Sequence, residues 1–195
     1  MSNPSLPLLL KQLCLSSFIR ESGTLAERAR QENWSHERYL KALCETELND
    51  RLSRRIERML KQSRLPEGKN IETLDQRRLS PETRHRIAVL LEGDFVDRAE
   101  NLLVFGLPGR GKTHLVCAIA RELILRQQRS VWFTTAFHLV QQMLLAKRDL
   151  NLEALFKKLD SYEIIILDDI GYVQQNAEEM EVLFTFLAER YERRS

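Results

Sequence analysis

The sequence has few of the features that mark secreted, membrane-spanning or metal-binding proteins. Its three cysteines among 195 residues are too far apart for a paired zinc motif and odd in number for a disulfide framework. No apolar run approaches the roughly 20 residues that a membrane-spanning helix needs. The stretch MSNPSLPLLLKQLCLSSF lacks the basic segment and the small-residue cleavage site of a signal peptide. These absences predict a cytoplasmic protein with no membrane association.

The sequence also lacks a large excess of positive or negative charge. The 30 lysines and arginines nearly balance the 28 aspartates and glutamates, which leaves a net charge of +2. The overall charge therefore does not indicate a nucleic-acid partner, and any such interpretation must come from local clusters of basic residues.

The chain is predicted to have three parts. Residues 1–65 form a helical N-terminal domain, residues 66–92 a linker with a connecting helix, and residues 93–195 an α/β core. Within the first part, one amphipathic helix is expected from Leu8 to Ala29, with Gly23 as the candidate break.

Two further helices are predicted from their capping residues. Ser35 is the expected N-cap of a long helix that runs to about Arg64 and ends before Pro66. Ser80 is the expected N-cap of the connecting helix, which spans residues 81–91 and has proline at its first position.

Strand-like and helix-like segments alternate in the second half of the chain. The predicted strands are NLLVF, SVWFTT and EIIILDD, and the predicted helices are THLVCAIARELILRQ, AFHLVQQMLLAK, LEALFKKLD and AEEMEVLFTFLAERYERR. Alternation of this kind is typical of βαβ units, in which helices cover both faces of a parallel sheet. The expected architecture is therefore a three-layer α/β fold.

A glycine-rich segment between the first strand and the first helix fits the P-loop pattern. Its glycines allow the backbone to turn its N–H groups toward an anion, and the N-terminus of the following helix adds partial positive charge. Lys112 is expected to contact the β- and γ-phosphates, and Thr113 is expected to offer its hydroxyl to Mg²⁺. The predicted nucleotide-binding residues are Gly106, Leu107, Pro108, Gly109, Arg110, Gly111, Lys112 and Thr113.

Two acids end the strand EIIILDD. Asp168 lies where the carboxyl end of a parallel strand meets the ligand crevice, and it is predicted to hold Mg²⁺. Asp169 points the other way along the strand and is placed to polarise an attacking water. The alternative is a pair of acids that cap the turn at Gly171. His114, directly after the P-loop, is interpreted as a helix-packing residue.

A stripe of arginines follows one face of the long N-terminal helix. Arg51, Arg54, Arg55 and Arg58 recur at helical spacing, which suits contact with the phosphates of a DNA duplex. The alternative is a solvated helix face, which most charge runs are.

The motifs together resemble the IstB-like helper ATPases of insertion-sequence transposition. The segments that carry the resemblance are ENLLVFGLPGRGKTHL, VWFTTAFHLVQQML and IIILDDIGYV…LFTFLAERYERRS. These ATPases are relatives of the DnaC helicase loaders within the AAA+ class of P-loop NTPases. The resemblance implies that the chain binds ATP and Mg²⁺, assembles into an oligomer on double-stranded DNA and assists a transposase.

The resemblance also assigns roles to individual residues. Residues 106–113 match the phosphate loop and Asp168 matches the magnesium acid, while Asp169 stands where many AAA+ proteins carry the longer glutamate. Lys147 and Arg148 match the extra helix of the initiator branch, which faces nucleic acid.

The family continues beyond the point where this sequence ends. Its sheet has a further strand between NLLVF and EIIILDD, and its later segments carry arginines that complete a neighbour's site. A shortened gene, a shortened expressed protein and a domain completed by another chain are all compatible with the sequence. Without those groups the chain is expected to hydrolyse ATP poorly on its own.

Three other functions stay open. A replicative helicase loader of the DnaC type shares the same motifs, and a non-catalytic DNA-binding fragment would use only the basic surfaces. A small-molecule P-loop kinase is the third alternative, although such enzymes generally begin close to the phosphate loop.

Overall fold

The computed structural model describes residues 5–75, 77, 79–172 and 176–191. These residues form a mixed α/β structure with a helical N-terminal region and a small parallel sheet. The helices are α1 (Leu6–Gln12), α2 (Ser16–Gln31), α3 (His36–Ser63), α4 (Pro81–Leu91), α5 (Asp94–Asp97), α6 (Lys112–Gln127), α7 (Ala136–Arg148), α8 (Leu152–Asp160) and α9 (Ala177–Tyr191). The strands are β1 (Val131–Thr135) and β2 (Ile164–Asp168), and a 3₁₀ turn at Ile170–Tyr172 follows β2.

The first helical segment is divided at a different place from the one expected. The chain breaks between α1 and α2, where Cys14 takes a left-handed φ of 56°, and Gly23 lies inside α2. The prediction of one helix from Leu8 to Ala29 is therefore wrong. A single glycine costs a helix only about 1 kcal/mol, and helices in proteins are stabilised mainly by tertiary contacts, such as the hydrogen bonds from Ser17 of α2 to Glu47 and Asp50 of α3.

Glu47 of α3 accepts hydrogen bonds from α2 and from its own helix. The backbone N–H of Ser17 donates to Glu47 Oε2 at 2.8 Å, and Arg51 Nε donates to Glu47 Oε1 at the same distance. Burial alone would raise the pKa of Glu47, but these donors outweigh it and hold the pKa below its usual range. The carboxylate therefore stays ionised inside this small helical unit.

The predicted helix boundaries at Ser35 and Ser80 are confirmed. The Ser35 hydroxyl accepts a hydrogen bond from the Arg38 backbone N–H, and the Ser80 hydroxyl accepts one from Thr83, each at 3.1 Å. Each bond satisfies a backbone donor that the first turn of a helix leaves unpaired. The long helix α3 also ends before Pro66, as expected.

Two of the predicted strands pair in parallel, from Val131 opposite Ile164 to Thr135 opposite Asp168. On one face of the sheet, Trp132 packs in a core with buried residues of α7, α8 and α9. Alternate residues point to the opposite face, where α6 contacts β2. Helices therefore lie on both sides of these two strands, because each strand presents an apolar side chain to each face.

The segment NLLVF does not join the described sheet. It lies outside any strand, and its side chains are exposed apart from the half-buried Val104, with Phe105 at 86% and Leu103 at 69%. The prediction of a strand here is wrong for the described residues. A strand is stabilised by backbone pairing with a neighbour, and no other strand of the described chain lies beside this segment.

The chain divides into two compact units, Met1–Glu57 and Arg58–Ser195. This division lies inside α3, and the predicted domain boundaries at 65/66 and 92/93 stay predictions. Among the described residues, no helix combines the length and the apolar composition that a membrane crossing requires.

Candidate functional site

The glycine-rich loop before α6 has the backbone that its sequence requires. Gly109 and Gly111 take φ angles of 73° and 82°, in the left-handed region that other L-residues avoid. An added Cβ at either position would meet no atom within 4 Å, so backbone conformation rather than space demands glycine there. Gly106 takes a φ of 156° and lies against the side chain of Lys112.

The N-terminus of α6 follows this loop directly. The first hydrogen bond of the helix runs from the Leu115 N–H to the Gly111 carbonyl at 2.9 Å. The N–H groups of residues 112–114 precede this bond and have no partner within the helix. Together with the helix dipole they favour an anion at this position, as a phosphate-binding loop requires.

Lys112 lies along the same loop. Its ammonium group donates hydrogen bonds to the carbonyl oxygens of Gly106 at 2.8 Å and Leu107 at 3.1 Å. The full positive charge is thereby held next to the backbone that would surround a phosphate chain.

Thr113 and Asp168 meet at the end of β2. The Thr113 hydroxyl donates a hydrogen bond to Asp168 Oδ1 at 3.0 Å, and both groups are partly buried. The P-loop and the acid that ends β2 are therefore one site. The bond of Asp168 to Thr113 also favours a site role over the alternative in which the two acids cap the turn at Gly171.

Asp169 follows the end of β2 directly. It takes a left-handed φ of 57°, is exposed, and leads into the 3₁₀ turn. Non-glycine residues in this conformation cost energy and recur at functional sites, although the strain by itself assigns no role.

The residues at this site fit a magnesium ion. Mg²⁺ prefers oxygen ligands and is usually held by one or two side chains together with substrate phosphates and water. Thr113 and Asp168 supply such oxygens side by side. Within the described part of the chain, no group of three histidine, cysteine, aspartate or glutamate side chains forms a metal cage.

His114 contacts the linker, which the sequence did not predict. Its Nε2 lies 3.0 Å from the Thr73 hydroxyl and 3.1 Å from the Asn70 carbonyl oxygen. Asn70 Oδ1 in turn accepts a hydrogen bond from the Thr73 N–H at 2.8 Å. The interpretation of His114 as a packing residue missed this polar contact. The spacing of Asn70 and Thr73, typical of a turn closed by side chains, was the available signal.

Cys117 lies one helical turn after Thr113 and is fully buried. Burial, assisted by the negative charge of Asp168 and opposed by Lys69, raises the pKa of its thiol to about 11. The thiol is therefore protonated near neutral pH and is a packing group rather than a nucleophile.

A comparison with family models identifies the family of this chain. The model described as IstB-like ATP binding protein matches residues 8–195. The chain belongs to the IstB-like ATP-binding protein family. The family resemblance expected from the sequence is thereby confirmed.

Several relatives of this IstB-like chain are insertion-sequence proteins named for ATP binding. One from Sinorhizobium fredii is 39% identical over 97% of this chain and 64% of the relative. The IS5376 protein of Geobacillus stearothermophilus is 36% identical over 87% of this chain and 67% of its own length. The IS21 protein of Pseudomonas aeruginosa is 33% identical over 97% and 71%, respectively. The chain thus spans about two thirds of the length of the curated relatives that it matches.

The predicted DNA-contacting residues of this IstB-like chain differ in their surroundings. Arg51 donates to the Cys14 carbonyl at 2.9 Å and Arg54 donates to the Ser16 hydroxyl at 3.0 Å, so both also stabilise the connection between α1 and α2. Arg55 is exposed and has no ion pair among the described residues.

The other basic residues predicted to contact DNA also differ in whether they form an ion pair among the described residues. Lys147 pairs with Glu181 at 3.2 Å. Arg58 and Arg148 are exposed and unpaired within the described part of the chain. Arg55, Arg58 and Arg148 are therefore the predicted contacts with the fewest competing interactions.

Proposed function

We propose that this chain is a P-loop ATP-binding module of the AAA+ class that binds MgATP and assembles on DNA to assist a transposase. The hydrogen bond between Thr113 and Asp168 carries this proposal, because it joins the phosphate loop to a magnesium-type acid. The family match supports the ATP-binding part, and the relatives' names support the link to insertion sequences.

Each group of the site has a role in nucleotide binding. The backbone N–H groups of residues 106–113 and the α6 dipole hold the phosphates, while Lys112 adds a full positive charge. Thr113 and Asp168 hold the magnesium ion, which when bound neutralises charge on the phosphate oxygens. Asp169 is the candidate for orienting the attacking water.

Hydrolysis by this chain alone is expected to be slow. Some P-loop enzymes use an arginine supplied by a neighbouring subunit. In those enzymes the arginine raises the rate of hydrolysis by a factor of about 10³–10⁵. We propose that a neighbouring copy supplies such a group on DNA, so a single copy of this chain binds nucleotide better than it turns it over.

The nucleotide proposal is tested with a fluorescent ATP analogue and Mg²⁺. Lys112→Ala is expected to weaken binding about tenfold or more, because it removes a charged hydrogen-bond donor. Lys41→Ala is the matched control, since Lys41 is exposed and belongs to the N-terminal unit. Equal affinity of the wild type and Lys112→Ala would contradict the proposal.

The DNA and partner proposals need separate measurements. Duplex affinity at two salt concentrations, with and without MgATP, reports the number of phosphate contacts, since these make binding salt-dependent. Capture of purified transposase rather than replicative helicase supports the transposition role. Capture of the helicase alone would favour a helicase loader.

A further inference from the structure

A second cleft lies on the unit formed by residues 58–195, apart from the P-loop. Its volume is about 270 Å³. The end of α3, strand β1, helices α7 and α8, and the turn before β2 all contribute side chains to it. The proposed nucleotide site uses none of these side chains.

The inner wall of this cleft is aromatic and aliphatic. The rings of Trp132 and Tyr162 stack with centroids 6.2 Å apart and an angle of 27° between their planes. Leu155 and Leu159 complete the wall. Tyr162 is half-buried, so part of its surface faces the cleft. A wall of this kind suits a flat, heteroaromatic group, which stacks on aromatic rings.

The rim of the same cleft is positively charged. Lys61, Arg64 and Lys158 line it, and no carboxylate of the described residues does. None of these three cations has an ion pair within the described part of the chain. By contrast, the neighbouring Lys157 pairs with Glu153 at 2.8 Å. The cleft therefore presents three uncompensated charges to a ligand.

Two amides lie among these charges. Gln62 and Gln142 line the cleft and are exposed. Amide side chains both donate and accept hydrogen bonds, which matches the mixed edge of a nucleobase. An acidic peptide would satisfy the cations but would leave the aromatic wall and the amides without a matching group.

We propose that this cleft binds one unpaired nucleotide of single-stranded DNA, with the base against Tyr162 and the phosphate among Lys61, Arg64 and Lys158. Its volume lies just below the range of about 300–1,000 Å³ typical of sites for drug-sized ligands, which suits a single nucleotide rather than a duplex or a helix. The inference rests on the proposed association with DNA and adds a base-binding position to it.

The test uses the fluorescence of Trp132. The chain has two tryptophans, so Trp34→Phe leaves Trp132 as the single reporter. In this background, with Lys112→Ala to weaken the P-loop, the probes are oligo-dT of about ten nucleotides, a duplex of equal length and dTMP. Oligo-dT is expected to change Trp132 emission, and the duplex is expected to bind without that change. If dTMP alone produces the full change, the ligand is a free nucleotide and the binding chemistry of the cleft is supported.

The charge requirement is tested with substitutions on the rim. Lys61→Gln with Lys158→Gln is expected to weaken oligo-dT binding about tenfold or more, because phosphate contacts are lost. Lys157→Gln removes one charge from the position next to Lys158 but outside the cleft, so it is the matched control for Lys158→Gln alone, and it is expected to leave affinity nearly unchanged.

Two results would overturn the inference and separate it from the DNA proposal. Salt-sensitive duplex binding together with no change of Trp132 emission on adding oligo-dT would contradict nucleotide binding in the cleft but leave the DNA proposal supported. Equal losses of oligo-dT affinity in the rim and control variants would do the same. Absence of binding to both duplex and single-stranded DNA would contradict both the cleft proposal and the DNA proposal. An acidic peptide that changes Trp132 emission when oligo-dT does not would reassign the cleft to a protein partner.

Discussion

The hydroxyl of Thr113 donates to the carboxylate of Asp168 across 55 positions of the sequence, with 3.0 Å between the oxygens. Each residue comes from a different kind of element, since Thr113 begins a helix and Asp168 ends a strand. The contact depends on the packing of α6 against β2. It explains why the metal and phosphate functions are proposed for one site.

The Thr113–Asp168 pair predicts how magnesium affects nucleotide affinity. Asp168→Asn is expected to reduce the gain in ADP or ATP affinity on adding Mg²⁺ about tenfold, because an amide replaces a charged oxygen ligand. Asp169→Asn is the neighbouring control for this binding measurement and is expected to keep the magnesium-dependent gain. Calorimetric titration with and without Mg²⁺ measures both, and the same loss in the two variants would contradict the assignment.

Replacing glycine with alanine is expected to have opposite effects on stability at two positions. Gly111→Ala places a Cβ on a left-handed residue and is expected to destabilise its unit by about 1–2 kcal/mol. Gly23→Ala replaces a glycine inside α2, where nothing lies within 4 Å of the added Cβ, and is expected to stabilise by about 0.5–1 kcal/mol. Urea unfolding measures both free energies. A stabilised Gly111→Ala variant would show that the loop conformation is different.

His114 is expected to hold the linker turn against α6. His114→Ala removes the contacts with Thr73 and Asn70, which predicts faster amide exchange at Thr73 and faster tryptic cleavage after Lys69. His85→Ala is the control, since His85 is an exposed histidine of α4. Equal protection of the turn in both variants would show that other groups hold it.

Arg129 links two carboxylates, and this predicts a dependence of stability on pH. Its guanidinium bonds Glu163 at 2.9 Å and Asp97 at 2.6 Å. Burial alone would raise the pKa of Glu163, but hydrogen bonds from the Ser130 N–H and from Arg129 outweigh it, so the pKa is lowered from its ordinary 4.5. The stabilisation is therefore present above pH 4.5 and is lost as the pH falls through the lower folded-state pKa.

Glu163→Gln tests that dependence. The substitution is expected to cost about 1–2 kcal/mol near neutral pH, after allowance for partial exposure. The difference in free energy of unfolding between wild type and variant is expected to shrink as the pH is lowered below 4.5. Urea unfolding over a series of pH values measures this difference. A difference that stays constant across the series would contradict the ionised role of Glu163.

Local sequence signals predicted many of the elements. The caps at Ser35 and Ser80 and the strand β1 appear where expected, because short-range hydrogen bonding defines the caps and a run of β-branched and aromatic residues defines the strand. The break at Cys14 and the unpaired NLLVF segment were missed. Both depend on neighbours distant in sequence, which periodicity does not report.

The amino-acid sequence by itself determined the glycine-rich loop, because glycines, lysine and threonine at fixed spacing encode a backbone geometry that needs few distant contacts. It also determined the family, because segments on both sides of β1 carry the resemblance together with that loop. Only the tertiary structure decided that Asp168 meets Thr113, that His114 bonds the linker, and that three cations line the cleft beside Trp132 and Tyr162. Each of these is a contact between side chains far apart in the chain. Such contacts are set by how helices and strands pack, which spacing along one element does not specify.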